Sequence, residues 1–182
     1  FVNNGGNRGD LRVKNDQTAT NLEAFVENQF NIGKGFTAIL GASAAHNRRE
    51  LDQLENIAGS PPDYEFRYNE FAPKVGLRYD AENYQIFANV SGSYEPPSFS
   101  ETYTSNTARE AQTATSFEIG TRGHYKFFRW DATAYHAEIE DELLTVMDPI
   151  TNLSTTTNAE ETTHTGVEIG TEIDLLGSDW LD

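Results

Sequence analysis

The chain has 182 residues, and 13 Lys+Arg against 29 Asp+Glu give a net charge of −16. That charge speaks against a nucleic-acid-binding surface, and the absence of cysteine excludes disulfide scaffolds, thiol catalysis and Cys-ligated metal. No run of apolar residues is long enough for a transmembrane helix, but a transmembrane β-strand needs only about 9–11 alternately apolar residues and stays open. Eleven Phe, eight Tyr and two Trp are too many for a disordered acidic chain. The opening Phe1, without a signal-peptide pattern, predicts a mature protein or a piece of a longer one.

Alternation dominates the chain, and helical periodicity is nearly absent. The first predicted strand, 17–30, puts Thr18, Thr20, Leu22, Ala24 and Val26 on one face, against Asn21, Glu23, Glu27 and Gln29. Phe25 is its exception. Strand 36–45 follows a short link and carries Phe36, Ala38, Leu40, Ala42 and Ala44 on one side. The long link 46–70 contains a helix-like pattern: Asn47 as cap, Glu50 three residues on, then Leu51, Leu54 and Ala58 before Gly59 and Pro61–Pro62. A short helix is expected there.

Strand 71–80 alternates Phe71, Val75, Leu77 and Tyr79 with Lys74, Gly76, Arg78 and Asp80, with Pro73 an awkward non-donor inside it. Strand 84–94 alternates Tyr84, Ile86, Ala88, Val90 and Tyr94 with Gln85, Asn89, Ser91 and Ser93. Strand 115–125 sets Phe117, Ile119 and Tyr125 against Glu118, Arg122 and His124. Strand 128–140 alternates less well. Either Trp130/Ala132/Ala134 or Tyr135/Ala137/Ile139 forms its apolar side. Strand 163–175 sets Val167, Ile169, Ile173 and Leu175 against Glu168, Glu172 and Asp174.

These seven strands are long beside the globular average of about 5–6 residues. Their links alternate strictly: 31–35 short, 46–70 long, 80–83 short, 95–113 long, 126–127 short, 141–162 long. Every hairpin therefore has one tight and one elaborate end, the pattern of an outer-membrane barrel; sandwiches mix arches with hairpins. Phe30, Phe36, Tyr79, Tyr84, Tyr125, Phe127, Phe128 and Trp130 flank the short turns, as an aromatic girdle at one membrane interface requires. The predicted fold is all-β, an antiparallel meander forming part of a large transmembrane β-barrel. Seven strands without a closing one predict a segment of that barrel.

Several stretches resemble the barrel of TonB-dependent outer-membrane receptors. They are Asn69–Asp80 (NEFAPKVGLRYD), Ile86–Glu101 with its Pro96–Pro97 turn, Gln112–Gly123 (QTATSFEIGTRG), Trp130–Val146 and Thr163–Gly170. The resemblance is strongest over residues 69–175. It implies uptake of a scarce small molecule, most often a ferric siderophore or other metal chelate. It also implies energy from the TonB complex acting through a plug domain that this sequence does not show. Outer-membrane lipid would surround the barrel, in a Gram-negative bacterium. A passive porin segment and a soluble β-sandwich module for glycans remain alternatives.

No enzyme, metal site or cofactor is expected. Gly33–Ala38 matches GxGxxA, but a strand follows where a dinucleotide site needs a helix, so a hairpin turn is the better reading. Glu138, Glu140, Asp141 and Glu142 lack EF-hand spacing, and His46, His124, His136 and His164 lack any HExxH pattern. The three long links are acidic and would not steer a highly anionic ligand. Within them Arg48, Arg49 and Arg109, with Tyr64 and Tyr103 as aromatic neighbours, are the candidate ligand contacts. Lys74, Arg78, Glu118, Arg122, Glu168 and Glu172 alternate with apolar residues and are expected to face the barrel lumen or plug, because a lipid-facing Lys or Arg costs about 2–4 kcal/mol at the midplane.

Overall fold

The computed structural model describes residues 3–11, 13–55, 62–102, 109–147, 149–150, 152 and 154–174. Two dipeptide strands, β1 (Asn3–Asn4) and β2 (Asn7–Arg8), form a small hairpin. Seven long strands then make one sheet: β3 (Asn15–Gly33), β4 (Phe36–Gln53), β5 (Tyr64–Asp80), β6 (Tyr84–Glu95), β7 (Gln112–Tyr125), β8 (Phe128–Met147) and β9 (Ser154–Ile173). They pair in sequence order, every pair antiparallel. The short links all lie at one end of this meander, called here the turn end.

The tight turns follow local chemistry. Gly33 pairs with Phe36, leaving Lys34–Gly35 as a two-residue loop. Both loop residues have positive φ, 54° and 83°, which fits the right-handed twist of the flanking strands. The glycine-rich motif is thus a hairpin turn. Tyr125 pairs with Phe128 across a second two-residue loop, where Lys126 has φ 54°. The cation of Lys126 sits 5.3 Å from the Tyr125 ring centre.

Cross-strand partners point to the same side of a sheet, so the register separates two faces. On one, Ala38, Leu77 and Ala88 are successive partners, as are Ile119, Ala134 and Val167. The Trp130/Ala132/Ala134 side of β8 therefore belongs to the apolar face, and Tyr135/Ala137/Ile139 to the polar one. From the aromatic row to the level of Val75, the apolar face carries no Asp, Glu, Lys or Arg on any of the seven strands; on β3 to β7 this continues to the level of Phe71, where Glu138 and Glu140 of β8 and Glu161 of β9 enter the same face. On β5 this band runs from Tyr79 to Phe71, the about 9–11 residues that a tilted strand needs to cross a membrane. Its large side chains are uncovered: Val167 is 70% and Ile169 73% exposed. Phe25, on the polar face opposite Ser43, is the exception on β3.

Aromatic rings close the band at the turn end. Phe36 and Tyr79 lie 4.8 Å apart, Tyr79 and Tyr84 6.4 Å, Phe128 and Trp130 6.1 Å between centres. Two glycines serve close packing in the sheet. A Cβ on Gly120 would stand 2.4 Å from the Phe87 ring, and one on Gly123 2.5 Å from the Trp130 ring. In each case the ring belongs to the residue directly across the ladder.

At the other end the strands outrun their expected limits. Residues 46–53 continue β4, 64–70 continue β5, 141–147 continue β8 and 154–162 continue β9. The helix expected after Asn47 is not formed: Asn47–Leu51 ladder against Tyr64–Tyr68 instead, and residues 56–61 of that pattern lie outside the described residues. A paired strand satisfies each backbone group there, whereas so short a helix is marginal alone. A short helix, α1 (Phe99–Thr102), does occur in the next connection. Glu101 reaches back to accept the Ser98 backbone N–H at 2.7 Å, and the Ser98 hydroxyl donates to the same carboxylate.

Pro73 marks the end of a ladder. The β5–β6 pairing runs only from Asp80 to Lys74 and stops there. Beyond it Gly92 packs on β5 without pairing, its Cβ position 3.1 Å from Pro73 Cδ and 3.3 Å from Ala72 Cα. A proline at this point forfeits no bond to β6.

Candidate ligand-facing surface

The polar face below the strand extensions is laced laterally. Lys74 bonds Glu27 at 2.9 Å. Arg78 pairs with Asp80 at 2.9 Å and donates to Gln29 at 3.4 Å. Gln85 links Asp80 at 2.5 Å, and accepts from Arg122 at 2.8 Å. Asn89 donates to Glu118 at 2.9 Å, and Arg129 meets Glu172 at 3.5 Å. Glu168 stands opposite Thr133. The six residues singled out from alternation thus share one face, opposite the apolar band. Their neighbours Glu27, Gln29, Gln85 and Asn89 complete the lattice.

The candidate ligand contacts divide between the two faces. Arg48, Arg49 and Tyr64, expected in a loop, lie within β4 and β5 because those strands extend past the band. Arg48 projects on the same side as the apolar band. It bonds Glu50 at 3.0 Å and Glu65 at 2.9 Å, and Arg67 bonds Glu65 at 2.5 Å. The Arg48 guanidinium, helped by Arg67, offsets desolvation and holds the Glu65 carboxyl down to about 2. Arg48 is therefore engaged in a neutral four-charge network. Arg49 projects to the polar side, 8% exposed. Its Nη1 donates to Asn21 Oδ1 at 2.7 Å and to the Arg48 carbonyl at 3.1 Å.

Tyr64 shares that polar side. Its ring stacks on Phe66 at 4.7 Å, and its hydroxyl is 3.0 Å from Thr102 Oγ1. Thr102 is fully buried, so this contact fastens the 96–102 segment to the sheet. Arg109 lies in the same connection, its Nε buried without a bonding partner. Tyr103 lies outside the described residues. Around these residues sits the small packed core: Leu51, Tyr68 and Ala72 from β4 and β5, with Pro97, Thr102 and Ala111 from the connection. Ile139 is buried on the same face.

Sequence reasoning passed over Asn21, Asn47, Tyr68, Glu110 and Asn158. Asn158 accepts the Glu110 N–H at 3.2 Å and donates to the Glu110 and Asp141 carbonyls at 3.1 and 2.7 Å. Asp141 is left-handed, with φ 56°, and drops out of the β8–β9 ladder there. A signal for Tyr68 was present: Tyr64, Phe66 and Tyr68 alternate with Glu65 and Arg67, which continues a strand.

Among the described residues, no group of His, Asp and Glu is arranged to hold a metal ion. Where β5 and β6 part, a cleft of about 450 Å³ opens, lined by Phe71, Pro73, Val90, Glu138, Glu140 and Glu161 among others.

Comparison with known proteins agrees with this architecture. The family model of the TonB-dependent receptor-like β-barrel matches residues 1–181. No curated protein sequence matches the chain. Among solved structures, the copper transporter OprC is similar with a TM-score of 0.77 and 16% identity, over 89% of this chain and 27% of its own. The ferric yersiniabactin uptake receptor FyuA of Yersinia pestis gives 0.67 and 17%, over 90% of this chain and 25% of its own. The alcaligin outer-membrane receptor FauA of Bordetella pertussis gives 0.65 and 17%, over 90% and 28%. The chain spans about a quarter of the length of these proteins. An uncharged band of membrane height, a sequential antiparallel meander and a family match along almost its whole length lead to one assignment: the chain belongs to the TonB-dependent receptor family, as part of its β-barrel.

Proposed function

We propose that the chain forms part of the wall of an outer-membrane receptor that imports a small molecule with energy from the TonB complex. The observation that carries this is the uncharged band, on one face of all seven strands, with every short turn at the same end. In this reading the apolar face meets lipid and the turn end is periplasmic. The polar face is the lumen wall, and Lys74, Arg78, Glu118, Arg122, Glu168 and Glu172 face the lumen or the plug. The strand extensions and connections at the other end are extracellular. Arg49, Tyr64, Tyr103 and Arg109 serve ligand recognition there, while Arg48, paired on the outer side, serves the barrel surface.

A metal-linked nutrient is the cargo class, with a ferric siderophore first. Similarity to a copper transporter and to receptors for ferric yersiniabactin and alcaligin supports that class. The test is radio-iron uptake by cells with and without the parent gene, the iron presented with the organism's own chelators. Uptake should need the gene and should stop when the proton-motive force is collapsed. Uptake that persists without that force contradicts the reading and favours a passive porin.

A further inference from the structure

Two side chains at the loop end of β4 and β5 present buried donors without a partner, and a third beside them, Arg49, has only neutral acceptors. Asn47 and Tyr68 face each other on the β4–β5 ladder, so both side chains leave the polar face together. Asn47 is 5% and Tyr68 7% exposed. The Nδ2 of Asn47 and the hydroxyl of Tyr68 are fully buried and meet no hydrogen-bond partner. Arg49 follows on the same face, two residues from Asn47. Among the described residues it forms no ion pair, only bonds to an amide and a carbonyl. A guanidinium at this depth ordinarily has a counter-anion, and buried polar groups ordinarily have partners. The arrangement is a set of buried donors on one face without an anionic acceptor.

We propose that Asn47, Arg49 and Tyr68 form a subsite for a single carboxylate of the imported ligand. The proposal rests on the receptor reading above. One guanidinium matches one negative charge, and a planar carboxylate fits its fork while leaving lone pairs for an amide and a phenol. A dianion is disfavoured, because Glu110 is near enough to act on Tyr68. Burial, with Glu110 adding to it, pushes the Tyr68 phenol up to about 12, so it is a donor at neutral pH. Among the described residues Glu110 forms no ion pair with Arg49, and Asn158 holds the Glu110 backbone against β9 on both its N–H and its carbonyl. The segment 96–102 is fastened to this face at Tyr64 and Thr102, by a hydroxyl–hydroxyl bond rather than by an ion pair. Entry of a ligand therefore breaks no salt bridge at that contact.

The experiment uses the intact parent receptor in detergent, with benzoate as probe and benzamide as its neutral isostere. Benzoate should bind and benzamide should not. Arg49→Gln should weaken benzoate binding about tenfold or more. Arg67→Gln, on the opposite face, should leave it unchanged. Tyr68→Phe removes only a hydroxyl that has no partner, so it should fold as stably as the wild type while weakening benzoate several-fold. A structural role for the hydroxyl would instead lower stability. Benzoate binding that is absent, or equal in the wild type, R49Q and Y68F, overturns the subsite. Radio-iron import by the wild-type receptor, measured alongside, separates the two claims: import with variant-insensitive binding sinks the subsite alone, and lost proton-motive dependence sinks the receptor reading.

Discussion

Phe87 lies across the place where Gly120 would carry a Cβ, and the Ala132 carbonyl closes the other side at 2.8 Å. Glycine is usually a weak strand residue, but here its missing side chain seats a ring. Gly120→Ala should therefore destabilise the folded parent by about 1–3 kcal/mol, the usual cost of overpacking. The midpoint of its heat-dependent gel-mobility shift measures this, and a midpoint equal to wild type would contradict it. Glu65 gives a pH prediction. Its carboxyl is held at about 2 in the fold by Arg48 and Arg67, below the ordinary 4.5. A lowered folded value contributes stability above the unfolded value that is lost as pH falls through the folded one. Glu65→Gln should thus be less stable than wild type at pH 6, and the two should converge as pH drops from about 4.5 to about 2. Added salt should narrow the same gap, since the partners are about a third exposed.

Element by element, alternation decides which side of each strand meets lipid. Spin labels on Cys replacements of Leu77 and Arg78 in the intact parent, held in lipid nanodiscs, test that assignment. The label at 77 should report oxygen-rich lipid and the one at 78 water. The reverse would shift the register by one residue and invert both faces. The strands were legible wherever one face is apolar and the other polar. They are harder to read above the band, where Arg48, Glu50, Glu65 and Arg67 charge the outer face and the buried inner face mixes Leu51 and Tyr68 with Asn47 and Arg49. Asn47, Arg48, Arg49 and Glu50 carry no alternation at all, yet they pair in order with Tyr68, Arg67, Phe66 and Glu65. Only the helix-capping pattern stood out there, and the partner strand overrode it. For β8 the periodicity was too even to choose a face, and the ladder to Ile119 and Val167 chose it. The helix α1 had a readable signature in Ser98 and Glu101, three apart directly after Pro96–Pro97. Asn47 and Tyr68 could not be joined from sequence, because residues 21 apart meet only once the register is fixed.

For the molecule as a whole, the sheet is open. Among the described residues, β3 and β9 each pair on one side only. Their free edges expose rows of unpaired N–H and C=O groups, and nothing covers Leu22, Val26, Val167 or Ile169 on the apolar face. Seven strands at about 4.8 Å give a sheet roughly 34 Å wide. That apolar surface far exceeds the few hundred Å² a soluble monomer tolerates, and a net charge of −16 slows aggregation without supplying partners. In a closed barrel, neighbouring strands satisfy the edges and lipid covers the band. Sedimentation of the isolated 182-residue chain in detergent-free buffer tests the membrane-facing band most directly. The chain should aggregate or stay unfolded, and recover ordered β-structure only with detergent or lipid. A sharp monomer boundary with cooperative thermal unfolding in plain buffer would contradict the account and favour a soluble sandwich.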